Sequence, residues 1–291
     1  MNKSEKSRIS ALTMAALLTA ARLFSLSLYM PHGGENAAIT ALTAAGLCLL
    51  KLPIMTAAAL LGRHFGENRA FSAATAALSA VMVIICTNAF AEMTAETYPE
   101  RCTRLTTFIV LLCICVYVAS MGLAGTARTA SLMLAGFALV CTPVLIEMRG
   151  SMLSDRLDPL SYKPVREITL TAAGLLRLFP EPVMLAGLIG RTDGSPSRAV
   201  KPFLIADALV SGSFFLMCGS VTGRFFGQSG YAFYTLAGNT HGAFIDRANG
   251  VFMFFSSSFA IITVSALMMT FWRSAEMIRQ KRPREETAKA Q

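Results

Sequence analysis

Two prolines bracket one acid in the stretch Gly174 to Gly190, GLLRLFPEPVMLAGLIG: Glu181 lies between Pro180 and Pro182, with Arg177 four residues before it. Each proline removes a backbone N–H and disturbs the carbonyl one turn earlier, so freed carbonyl oxygens must find other partners. A carboxylate beside freed carbonyls, inside an apolar run, has the chemistry of an ion or ligand site at an interrupted transmembrane helix. The competing reading is a packed kink in which Glu181 pairs with Arg177, since residues four apart share a face of an unbroken helix.

Arg22, Lys51 and Asp207 also fall within apolar stretches. A charge at the centre of an inserted helix costs about 2.5–3.5 kcal/mol, so these side chains are expected to point inward or to reach an interface. Asp207 stands between Ala206 and Ala208, whose small side chains let helices approach closely. It reads either as a buried proton carrier or as a structural partner for Arg177, Lys51 or Arg22. Arg22 is near enough to the end of its segment to snorkel, and Lys51, beside Pro53, reads similarly.

The elements that must position these groups follow from the composition. Of the 291 residues, 54% are hydrophobic and 15% charged, against roughly 25% charged in a soluble domain. Apolar runs near the roughly 20 residues needed to cross a hydrocarbon core predict an all-α polytopic membrane protein. Eight spans are expected: Ile9 to Met30, Ala37 to Leu61, Ala70 to Ala91, Thr103 to Met121, Thr129 to Glu147, Val165 to Gly190, Val200 to Thr222 and Gly250 to Trp272. The second is expected to kink or break at Pro53. The first is read as a retained span, because Arg22 interrupts it and no Ala-x-Ala-like site follows. Residues 1–272 then form one transmembrane domain, and 273–291 a frayed basic tail.

Lys and Arg crowd the N-terminal tail, the loops near Arg63 and from Arg191 to Lys201, and the C-terminal tail. The positive-inside rule therefore places both termini in the cytoplasm. The formal charge of +9 is explained by these flanks and does not imply nucleic acid. Tyr231, Phe233, Tyr234 and Phe244 suit an interfacial segment between the last two spans.

Catalytic signatures are lacking. The sequence has no G-x-S-x-G, Walker loop, G-x-G-x-x-G or H-E-x-x-H, so an enzyme is not expected and any transport must be driven by a gradient. The seven cysteines mostly lie in apolar runs, where they act as small hydrophobes. Cys113 and Cys115 have no second pair to complete a zinc set, and His32, His64 and His241 are scattered. Neither a metal nor a cofactor is expected.

Several segments, taken in order, resemble the spore germination permease family, the membrane B subunits of nutrient germinant receptors within the amino acid-polyamine-cation transporter superfamily. The opening Arg8-Ile9-Ser10 is similar to that family's start, with Thr13 where glutamine is frequent. ETYPE, Glu96 to Glu100, resembles the loop before the fourth helix. Gly122, Ala127 and Arg128 match a G-x-E-x-x-A-R stretch in which Ala124 replaces the acid. Arg156 to Leu160 resembles an outer loop, and LFPEPVMLAGLIG occupies the place of a broken sixth helix. YAFYTL and AFIDRANGVFMFF are similar to an aromatic stretch and the following helix start; Asp246 and Arg247 fit, Asn249 replaces an acid, and Ser256 stands where tryptophan is common.

The resemblance implies a fold of ten helices in two inverted five-helix repeats, of which this chain carries eight and lacks the last two. It implies a subunit that senses or passes a small nutrient, an amino acid foremost, in the inner spore membrane or a cell membrane, together with other germinant receptor subunits. The ligand is expected between helix one, at Ala20, Ala21, Leu23, Phe24 and Ser25, and the interruption at Phe179, Pro180, Glu181 and Pro182. Arg22, Arg177 and Asp207 are candidates for an ion or charge relay. An autonomous gradient-driven transporter of amino acids or cations, and a non-transporting assembly protein, remain the alternatives.

Overall fold

The structure, a computed structural model, describes residues 8–32, 35–148, 165–228, 230–238 and 248–289. A two-residue strand β1 (Ile9–Ser10) leads into α1 (Ala11–Ser27), followed by α2 (Ala37–Phe65), α3 (Arg69–Thr97), α4 (Arg104–Ser120) and α5 (Leu123–Met148). The second half comprises α6 (Val165–Leu176), α7 (Glu181–Leu188), a strand β2 (Thr192–Asp193), α8 (Ser197–Thr222), α9 (Ala232–Gly238) and α10 (Ala248–Lys289). Side-chain oxygens fix the starts of four helices. Ser10, Asn36, Asn68 and Thr103 each accept from a backbone N–H of the first turn, satisfying donors that a helix start leaves free.

Among the described residues, five helices are long and apolar enough to cross a membrane, and six if the bent pair 166–176 and 181–191, inclined by 42°, counts as one span. The chain thus has the build of an all-α membrane protein. The first and fourth expected spans are the shorter helices α1 and α4, of 17 residues each, below the roughly 20 that cross a 30 Å core. For α1 the reason is visible, since nearly all of its length is buried among other helices. Helix ends enclosed by protein need not reach the headgroups.

Two departures from the sequence expectation concern helix ends and breaks. Helix α2 runs through Pro53 without interruption, with the proline on an exposed face. Helix α10 does not stop at Trp272 but continues to Lys289, so the basic tail prolongs the last span instead of fraying from it. Residues 156–160, His241, Phe244, Asp246 and Arg247 lie outside the described residues.

The bundle is apolar outside and mixed inside. Leu42, Leu49, Leu50, Leu52, Ile84, Leu132, Leu139 and Leu209 are exposed, as suits side chains facing acyl chains, whereas Ser72, Thr75, Ser79 and Thr87 of α3 are buried. Thr75 and Thr87 donate to carbonyls one turn earlier in the same helix, which lets a hydroxyl sit in an apolar interior at low cost. Helix α3 packs along α10 and α2 along α8, while α1 lies centrally against α5, α8 and α10.

Close helix approach needs glycine at two places. A Cβ on Gly62 of α2 would come within 2.2 Å of the Ala186 carbonyl oxygen of α7, and one on Gly187 within 2.1 Å of Thr270 Cγ2 of α10. Small residues therefore clamp the second half of the broken span between α2 and α10. At that same end β1 pairs in parallel with β2, Ile9 opposite Thr192 and Ser10 opposite Asp193. Arg8 approaches Asp193 at 3.6 Å, Arg63 donates to the Gly194 carbonyl at 3.2 Å, and Arg273 donates to the Gly187 carbonyl at 2.5 Å.

Candidate functional site

The site is assembled from three helix stripes. Along α2 the buried positions are Ala37, Thr40, Ala41, Ala44, Leu47, Lys51, Met55, Ala59 and Gly62, three or four apart, so Lys51 belongs to the inward face of a regular helix. On α8 the corresponding stripe holds Phe203, Leu204, Asp207, Ser211 and Phe214, and α1 brings Arg22. Because α8 packs on both α1 and α2, Asp207 meets both cations.

Arg22 Nε donates to Asp207 Oδ1 at 2.8 Å and Lys51 Nζ donates to Asp207 Oδ2 at 2.5 Å. Exposure of the three side chains is 1% for Arg22 and 0% for Lys51 and Asp207, so this is a fully desolvated triad. Ser211 Oγ adds a bond to Asp207 Oδ1 at 2.9 Å, and the Cys48 thiol lies 3.6 Å from Oδ2. Charge-assisted bonds of this kind are what make a buried carboxylate tolerable.

The helix interruption joins the triad from the side. Pro180 and Pro182 lack N–H groups, so α6 ends at Leu176 and α7 begins at Glu181. In the last turn of α6 the Leu175 carbonyl accepts from Arg22 Nη1 at 3.1 Å. Phe179, in the gap, places its ring under the Lys51 ammonium, 5.5 Å from Nζ to the centroid, a cation–π geometry.

Glu181, in the first turn of α7, is 0% exposed. Among the described residues neither of its carboxyl oxygens has a hydrogen-bond partner, and the same holds for Arg22 Nη2. Its charged neighbours are Arg22, Lys51 and Asp207, and Cys86 of α3 lies within its electrostatic reach. Two cations, one bonded carboxylate and one unbonded carboxyl group thus interact electrostatically, all four side chains buried.

Of the residues chosen from sequence, Arg22, Asp207, Phe179 and Glu181 come together here, with Pro180 buried and Pro182 half-buried beside them. Ala20, Ala21 and Phe24 are buried in the apolar core, where Phe24 meets Phe90 at 6.4 Å between ring centroids. Leu23 instead lines a separate apolar cavity of about 260 Å³ with Phe137 and Phe214. Ser25 lines a larger cavity of about 540 Å³ between the ends of α1 and α6, whose wall also includes Arg22, Tyr29, His32 and Arg177.

Arg177 is exposed and takes no part in the triad, and the sequence alternative of a Glu181–Arg177 pair does not form. Arg22 does not snorkel; its guanidinium stays inside, bound to Asp207. Lys51 completes the cluster as one of the partners expected for Asp207, and Ser211 and Cys48 join it without having been singled out. A signal existed for Ser211, which follows Asp207 by four residues, and Lys51 continues the buried stripe of Leu47 and Met55. Among the described residues, no three His, Cys, Asp or Glu side chains gather as a metal site.

No family model, curated protein or solved structure matches this chain.

Proposed function

We propose that the chain is a permease-like membrane subunit of a spore germinant receptor, which senses or passes a small nutrient such as an amino acid beside the interrupted span. The observation that carries this reading is Glu181: a fully buried carboxyl group with no hydrogen-bond partner among the described residues, at a helix break, next to two buried cations. A polar group left without partners in an apolar interior costs stability. Such a cost is commonly retained where a ligand or a conformational change later supplies the partner.

Counting the bent pair as one span and leaving out the short α9, α2 packs on α8 and α3 on α10, which pairs spans two with seven and three with eight. The bent pair also touches α1 through α7, adding spans one and six. Two inverted five-helix repeats, with eight of the ten helices carried by this chain, are what the family resemblance implies. Both termini lie on the cytoplasmic side in this reading, in the inner spore membrane or a cell membrane, and companion receptor subunits complete the assembly. Ser256, at the position of the family's tryptophan, is buried and 2.9 Å from Ser27 Oγ of α1, so a polar contact between helices stands where an indole is common.

Glu181→Gln tests the assignment. The expected outcome is a lost nutrient response in spores whose receptor complex still assembles; an unchanged response with unchanged assembly removes the site from the mechanism. Uptake of amino acids by the purified chain alone in liposomes, driven by an imposed gradient, would instead favour an autonomous transporter.

A further inference from the structure

Along α8, Arg198, Lys201, Ile205, Leu209 and Leu216 follow one another at helical spacings, so they share one side of the helix. All five are exposed. The stripe opens with two cations and continues with apolar side chains, about 27 Å from Arg198 to Leu216 at the ordinary rise of a helix.

Its basic end lies where the bundle meets the headgroups. Arg63 of α2 donates to the Gly194 carbonyl just before α8, and Arg273 of α10 donates to the Gly187 carbonyl at the end of α7. Beside these arginines Phe65 and Trp272 are exposed, as aromatic rings at a membrane boundary are. Asp193 of the same loop pairs with Arg8 at 3.6 Å, and the first turn of α8 contains no acid. Cations at a helix start oppose the helix dipole, so Arg198 and Lys201 do not serve the stability of α8 itself.

The apolar end of the stripe leads into a cavity. Leu209 is 65% exposed yet also lines the space of about 260 Å³ walled by Val210, Met217, Phe137, Cys141 and Phe233. This space therefore meets the lipid-facing surface at Leu209. Along the helix Leu209 is about 12 Å from Lys201, within the roughly 15 Å depth of one leaflet's hydrocarbon.

We propose that this face of α8 binds an anionic phospholipid: Arg198 and Lys201 hold the headgroup phosphate, and one acyl chain follows Ile205 to Leu209 and enters the apolar cavity. Basic residues at a membrane surface attract anionic headgroups, and the recess below them gives the tail apolar surface to bury. The inference needs only the membrane-protein build of the chain and is independent of the nutrient reading.

The test titrates the purified full chain in detergent with phosphatidylglycerol and with phosphatidylcholine of the same acyl chains, and counts bound lipid by native mass spectrometry. Phosphatidylglycerol should bind at least about tenfold more tightly. Arg198→Gln combined with Lys201→Gln, both at exposed positions, should remove most of that preference, whereas Arg279→Gln, at an exposed position of α10, should leave it nearly intact. Val210→Phe, which fills the cavity, should weaken long-chain phosphatidylglycerol several-fold and leave the dihexanoyl form, with tails too short to reach Leu209, unchanged. Equal affinity for the two headgroups overturns the proposal, and so does a loss in Arg279→Gln as large as in the double variant, which would show diffuse attraction. Displacement of the lipid by inorganic phosphate overturns the lipid as the ligand. Unchanged long-chain affinity in Val210→Phe overturns the part given to the cavity, and if that variant does not fold, equal affinity of the wild-type chain for dihexanoyl and long-chain phosphatidylglycerol does the same.

Discussion

Asp207 of α8 bonds Lys51 of α2 through one carboxylate oxygen and Arg22 of α1 through the other, at 2.5 and 2.8 Å, and all three side chains are buried. One acid thus ties three helices together. Removing it leaves two buried cations short of their bonded anion, and truncating one partner of a buried pair typically costs about 3–5 kcal/mol. Asp207→Asn should therefore lower the unfolding midpoint in detergent strongly. Lys51→Met in the same background should recover part of the loss, because it removes one of the stranded charges. A double-mutant cycle that shows simple additivity would sink this account.

Glu181 is the contrasting case. Its oxygens have no hydrogen bond to lose, and glutamine keeps the volume and shape. Glu181→Gln should change stability by no more than about 1 kcal/mol, well below the Asp207→Asn effect. The measurement is the same unfolding assay, with both variants side by side. A loss as large as that of Asp207→Asn means that Glu181 serves as a structural counter-charge for Arg22 and Lys51, not as a vacant ligand or ion site.

Much of this arrangement was legible in the sequence, and the limits have physical causes. The break at Pro180 and Pro182 followed from the missing N–H donors, and Arg22, Asp207 and Glu181 stood out because charge in an apolar run needs a reason. Lys51 was harder to place, since its neighbour Pro53 suggested a break, yet α2 stays helical and holds Lys51 on its inner stripe. Which cation met which acid depended on the packing of α8 against α1 and α2, a tertiary fact with no local signature. Arg177 shows the same limit: four residues from Glu181 in sequence, it belongs to the cavity wall because the chain turns between them.

Two glycines in α2 should respond oppositely to alanine. At Gly62 a Cβ would sit 2.2 Å from the Ala186 carbonyl oxygen, a backbone atom that moves only with α7, whereas at Gly46 nothing lies within 4 Å. Gly62→Ala should destabilise by roughly 1–3 kcal/mol or more, as overpacking does. Gly46→Ala, on an exposed helix face, should be neutral or stabilise by up to about 1 kcal/mol through lower backbone entropy in the unfolded chain. Equal effects at the two positions would show that α2 and α7 are not packed as closely as this.

The pH response of the loop between α1 and α2 has a definite sign. Burial, and after it the charge of Glu35, push the Tyr29 phenol up from its ordinary value of 10.0, so the folded state keeps it protonated and donating to Glu35. A group whose proton is held more tightly in the folded state contributes stability below its unfolded pKa, and that contribution is lost as pH rises beyond it. The relevant window therefore opens at about pH 10. Tyr29→Phe should lower stability at pH 8 by about 0.5–1.5 kcal/mol through the lost bond, and should flatten the further decline between pH 10 and 11. Thermal unfolding across that range separates the two effects, and a wild-type protein whose midpoint falls no faster than that of Tyr29→Phe above pH 10 would show that the phenol is not held in this bond.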